Sequence, residues 1–129
     1  MPMHVTSLYA ALLALVFVVL TAMVGYARSK TTVALGDGGD PGLIVANRRQ
    51  MNFVENVPLA LLLIALIELR GGNTTWLHVL GGVLLVARLV HPFGINTVTA
   101  KTIPRAAGAT GTLLVLLAAA LTLLWQGLS

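Results

Sequence analysis

The chain has 129 residues, of which 57% are hydrophobic and only 9% charged, far from the roughly 25% of charged residues that keep an ordinary domain in water. It contains no cysteine, which excludes disulfides, thiolate metal sites and a cysteine nucleophile of its own. The formal net charge of +4 comes without any nucleic-acid-binding motif, so the basic residues call for another explanation than a nucleic acid partner.

Residues 5–27 form the first apolar run, 23 residues without a charge, which as a helix would rise about 34 Å and cross the hydrocarbon core of a bilayer. Its flank, Met-Pro-Met-His, has no basic residue and its apolar stretch is too long for a cleaved signal, so it is expected to stay. Three more runs follow, giving helices over about 5–27, 43–69, 74–91 and 105–126. None shows the period-two alternation of a barrel strand. An all-α, integral membrane four-helix bundle of up-down topology, one domain over residues 1–129, is the expected architecture. The glycine-rich stretch Gly36-Asp37-Gly38-Gly39-Asp40-Pro41-Gly42 lacks the lysine and spacing of a phosphate loop and reads as a tight turn that starts the second helix.

The second helix carries Arg48, Asn52 and Glu55, an R-x3-N-x2-E pattern whose side chains fall within about 60° of one another on one stripe. The stripe continues through Leu59, Leu62 and Leu66. A charge in hydrocarbon costs at least about 2.5 kcal/mol unless it faces protein or a watery cavity, so a polar cluster here is a candidate site. A purely structural alternative is a clamp in which Arg48 pairs with Glu55 of a neighbouring subunit. Pro58 removes a backbone donor and is expected to bend the helix beside Glu55.

In the third helix His78, next to Trp76, reads as part of an interfacial aromatic belt. Arg88 and His91 are three residues apart and share a face, and Pro92 with Gly94 ends the helix beyond them. Either the pair joins the second-helix cluster, or Arg88 snorkels to lipid phosphates. Gly81 and Gly82, and later Ala107, Gly108 and Gly111, permit close helix contacts and read as assembly surfaces. The histidines His4, His78 and His91 are spread over both ends and assemble no metal site. Seven of the eight Lys and Arg residues flank the first and third loops, which places those loops in the cytoplasm and both termini on the outer side.

Arg48-x3-Asn52-x2-Glu55-x2-Pro58, followed by Ala87-Arg88-Leu89-Val90-His91 and a basic residue opening the fourth helix, resembles the MAPEG family (membrane-associated proteins in eicosanoid and glutathione metabolism). The Gly-Asp-Gly-Gly turn and the Glu68-Leu69-Arg70-Gly71 end of the second helix are similar to its small bacterial inner-membrane members. The resemblance implies a homotrimer that binds glutathione as cosubstrate in a cleft between subunits, held by Arg48, Asn52, Glu55, Arg88 and His91. Arg105 matches the arginine to which thiol activation is attributed in several family enzymes. A transferase or peroxidase acting on a lipophilic small-molecule substrate from the membrane lipids is the implied activity. The tyrosines that line the site in active relatives have no counterpart, since Tyr9 and Tyr26 are both on the first helix and Ile95 stands four after His91. The alternative is therefore a non-catalytic trimer that binds a lipid or peptide-like ligand in the same cleft. A multidrug-type transporter fits less well, for want of a lone acid midway along the first helix.

Overall fold

The computed structural model describes residues 2–98 and 100–129. Four helices occupy most of the chain: α1 (His4–Ser29), α2 (Pro41–Leu69), α3 (Thr74–Val90) and α4 (Ile103–Leu128). All four are long and apolar enough to cross a membrane, α3 together with the 3-10 turn His91–Gly94 that extends it. No strand is present among the described residues.

Helix starts are set by caps. The Asp40 carboxylate accepts from Leu43 N at 2.9 Å, with Pro41 in the first turn; Asn73 accepts from Trp76 N at 3.0 Å; Thr102 accepts from Arg105 N at 3.4 Å, with Pro104 just inside. Each side-chain oxygen satisfies one of the amide groups that a helix start leaves unpaired, and proline at that place loses no hydrogen bond. These caps explain why α2 and α4 begin two residues before the starts that hydrophobicity suggests. α2 continues through Pro58 as one helix. In the loop before it Gly36, Gly38 and Gly39 have φ of 68°, 57° and 79°, the left-handed region that glycine enters without a Cβ penalty, and Gly39 N donates to the Asp37 carboxylate at 2.9 Å.

The helices pack in the pairs α1 with α2, α3 with α4, α2 with α4, and α1 with α3. Leu13, Phe53, Val57, Ile64, Leu84 and Val115 are among the residues buried between them. Leucines and valines on the outer faces of all four helices, such as Leu15, Leu62, Val86 and Leu117, are exposed. Apolar residues outside as well as inside are the pattern of a bundle whose surroundings are lipid or further protein.

One end of the bundle is tied by polar contacts from the last turn of α2. Glu68 accepts from Val5 N at 2.9 Å and from Thr6 N at 2.8 Å, so a carboxylate caps the start of α1. Arg70 donates to Gln126 O at 2.7 Å near the end of α4. An anion at a helix start and a cation at a helix end both complement the helix dipole. At the same end the Tyr9 hydroxyl lies 3.1 Å from His78 Nδ1 and donates to His78 O at 3.2 Å, and Trp76 Nε1 donates to Thr122 at 3.0 Å. His78 is exposed. The Tyr9 ring lies where a Cβ on Gly81 would sit, so Gly81 serves α1–α3 packing inside the subunit.

Glu68→Ala is expected to destabilise the bundle by about 1 to 3 kcal/mol, because two buried amides lose a charged acceptor. Unfolding in mixed detergent and dodecyl sulfate micelles reads this directly. A change below a few tenths of a kcal/mol would show that water replaces the carboxylate without loss.

Candidate functional site

The other end of the bundle is basic. Along α2 the residues that face the core are Leu43, Ala46, Phe53, Val57 and Ala60. Arg48 and Glu55 are exposed and Asn52 is half-buried, so the stripe points away from the core of its own subunit. Arg48 Nη1 and Glu55 Oε1 are 3.5 Å apart, both side chains 49% exposed. The pairing that the structural alternative placed between subunits is thus available within one helix, and at this exposure it contributes about 0 to 1 kcal/mol. Asn52 Oδ1 is buried without a hydrogen-bond partner, while its backbone carbonyl accepts from Asn56 Nδ2 at 2.7 Å.

Arg88 lies inside. It is 0% exposed, which rules out snorkelling to lipid phosphates from this conformation. Nη1 donates to Thr112 Oγ1 at 3.4 Å and Nη2 lies 3.4 Å from His91 Nδ1, both at the long limit of a hydrogen bond. The guanidinium is 5.9 Å from the centre of the Phe53 ring, within range of cation–π attraction. Its Nε has no partner. Among the described residues the one ion pair is Arg48 with Glu55, so no carboxylate neutralises Arg88.

Two glycines bring α4 against this pocket. A Cβ on Gly108 would fall 2.7 Å from Ala87 O and 2.5 Å from His91 Cβ, so only glycine lets the helices approach this closely. Gly94 is pressed against the backbone of Arg105, and Thr102 Oγ1 donates to Gly94 O at 2.6 Å. Both contacts lie within the chain; of the two glycines, Gly108 was the one that the sequence suggested for an assembly surface. They pin the start of α4, and with it half-buried Arg105, beside the 3-10 turn. His91 is buried, and Arg88, Arg105 and Arg48 are all close enough for their charges to act on it.

The six residues singled out in the sequence therefore collect at one end but on two faces. Arg48, Asn52 and Glu55 look outward from α2; Arg88 and His91 are enclosed between α3, α4 and Phe53. A seventh residue joins them. Arg49 donates from Nε to Ile95 O at 2.8 Å and from Nη2 to Asn96 Oδ1 at 3.2 Å, tying α2 to the α3–α4 connection. It stands about 100° around the helix from Arg48, on the flank that faces the bundle, and that angle was the signal available in the sequence. No cluster of metal-ligating side chains is found among the described residues. Four guanidiniums with one carboxylate favour an anionic ligand, and the unpartnered Asn52 oxygen can accept from an N–H group.

The model of the MAPEG family matches residues 6–125. Two relatives, each named Inner membrane protein YecN and coming from Escherichia coli strain K12 and strain O6:H1 CFT073, are 39% identical over 92 residues. The alignment covers 71% of this chain and 70% of each relative. No solved structure matches the chain.

Arg88→Met keeps an unbranched apolar stem and removes a buried charge that has no counter-charge among the described residues. Burying an unpaired ion costs several kcal/mol, and relief of that cost is expected to offset the lost contacts to Thr112, His91 and Phe53, so this variant is expected to unfold no more easily than the parent in detergent. A loss of more than about 2 kcal/mol would assign the guanidinium a structural role in the bundle.

Proposed function

The chain belongs to the MAPEG family, and we propose that it is an integral inner-membrane protein that binds glutathione between the subunits of a homotrimer. In this reading each subunit is an up-down bundle with both termini on the outer side. The glutathione cleft opens at the basic, cytoplasmic end. The observation that carries it is the outward-facing stripe of Arg48, Asn52 and Glu55, which leaves three polar groups to be covered by something outside the subunit. A ligand with two carboxylates, an amine and peptide groups matches arginines, an acid and an amide in the same small space. Arg88 and His91 close the site from within.

Arg105 is the residue proposed to act on the sulfur. It stands in the first turn of α4, where the helix dipole adds to the guanidinium in stabilising an anion. Lowering a thiol pKa from about 8.5 by two units needs about 2.7 kcal/mol. The thiolate then attacks an electrophilic or peroxidic lipophilic substrate that arrives from the bilayer. One observation favours a ligand-binding protein without turnover: the Tyr9 hydroxyl is bonded to His78 at the far end of the bundle, and Tyr26 is exposed on α1, so neither supplies a hydroxyl to the site.

Glutathione titration of the detergent-solubilised protein, followed by conjugation of a generic aryl halide, separates the readings. Saturable binding with turnover supports the enzyme, saturable binding alone a non-catalytic member that takes a peptide-like ligand, and no binding rejects glutathione as the ligand. Native mass spectrometry is expected to show trimers; monomers would leave the cleft without its second wall. Arg105→Ala is expected to abolish thiolate absorbance at neutral pH with only modest loss of affinity, whereas Arg48→Ala mainly weakens binding. Thiolate absorbance that survives in Arg105→Ala and vanishes in Arg88→Ala would transfer the role to Arg88.

A further inference from the structure

A cavity of about 450 Å³ lies between α1 and α3, lined by Leu15, Val19 and Met23 on one side and Phe93 on the other, with Arg49 and Arg88 as its only charged residues. Its walls are apolar except for two guanidiniums. We propose that it seats one anionic phospholipid of the surrounding bilayer, with the phosphate held by Arg49, in the field of the buried Arg88 charge, and one acyl chain along Leu15 and Val19.

Three observations support this. Arg88 is fully buried with Nε unpartnered, and its remaining contacts, to a hydroxyl and an imidazole, are long. Arg49 is bonded to a carbonyl and an amide oxygen. Neither contact set contains a negative charge, so the pair leaves its charge uncompensated; a phosphate can accept from the remaining Arg49 nitrogen and is attracted by the buried Arg88 charge behind it. The rest of the lining suits a hydrocarbon chain and disfavours a small soluble anion; basic pockets between membrane helices bind acidic headgroups for this reason. Depth also fits. From Thr74 to Ala87, α3 rises only about 20 Å before the first charge, short of the roughly 30 Å of hydrocarbon in a typical bilayer. A short apolar stretch thins the bilayer beside it and brings the headgroups of that leaflet down toward the arginines. Arg88 is shared with the glutathione reading, but Arg49 and the apolar lining lie on a different flank of α2 from the Arg48 stripe, so substitutions there test the lipid site alone.

The test is lipid retention. Protein in a non-ionic detergent is mixed with micelles carrying equal phosphatidylglycerol and phosphatidylcholine, and native mass spectrometry counts the lipids that remain bound. One phosphatidylglycerol per subunit is expected, in preference to phosphatidylcholine. Arg49→Gln should reduce its retention at least about fivefold, the effect of one basic residue near an acidic lipid. Val19→Trp, at an exposed position that faces the cavity, should exclude the chain, while Leu113→Trp on α4 should change nothing. The two tryptophan variants change exposed positions and keep Arg49, Arg88 and the core, so they read the cavity even if Arg49→Gln loosens the α3–α4 connection. Equal retention of the two lipids, retention unaffected by Arg49→Gln and Val19→Trp, or displacement of phosphatidylglycerol by an equal amount of oleate would overturn the proposal.

Discussion

Arg88 is a full positive charge enclosed in a membrane bundle with no carboxylate among the described residues to meet it, and the organisation of the basic end depends on how that charge is accommodated. Burying an unpaired ion costs several kcal/mol even after relaxation. Here the cost is reduced in small increments, by the face of Phe53, by Thr112 and by His91. Gly108 makes this possible, because only without a Cβ can α4 come close enough for Thr112 to reach the guanidinium. Thr112 in turn donates to Gly108 O at 2.8 Å, so its hydroxyl hydrogen is engaged and its oxygen is left to accept. The arrangement tolerates the charge without neutralising it, as a binding site for an anion requires.

The two ends of the bundle differ in this respect. At the end that carries both termini, Glu68 and Arg70 are each matched to a helix terminus, and Tyr9, Trp76 and His78 bond to one another's helices or neighbours. Polar groups there are spent on holding four helices together. At the basic end Asn52 Oδ1 and Arg88 Nε are buried and unpartnered, and the only ion pair among the described residues is half-exposed. Unpartnered buried atoms occur at the other end too, at Thr6 Oγ1 and Gln126 Oε1, so what sets the basic end apart is a buried charge without a counter-charge rather than a count of unsatisfied groups.

Much of this was legible in the sequence. Charge-free runs longer than a bilayer crossing define the helices, and their starts are misjudged only by the two residues that Asp40 and Thr102 add as caps. The Arg48, Asn52 and Glu55 stripe follows from helical periodicity alone and is found on one outward face. Periodicity does not tell whether a face turns inward or outward when both sides are apolar, so Arg88 was equally readable as snorkelling or buried; the decision rests on Gly108 and Thr112, twenty and more residues away. For the same reason Gly81 and Gly108 suggested contacts between subunits and are found in contacts within one. Glu68 stood out only as part of a family pattern. Its capping of α1 depends on a partner more than sixty residues distant, which no local signal reports.

A density map of the protein with glutathione in lipid nanodiscs tests the central claim most directly. The ligand is expected at a contact between two subunits, its carboxylates against arginines of the basic end and its backbone against Asn52, with the Arg48 to Glu55 stripe covered by the neighbouring chain. A map in which that stripe faces lipid, and glutathione is absent or bound elsewhere, would contradict it.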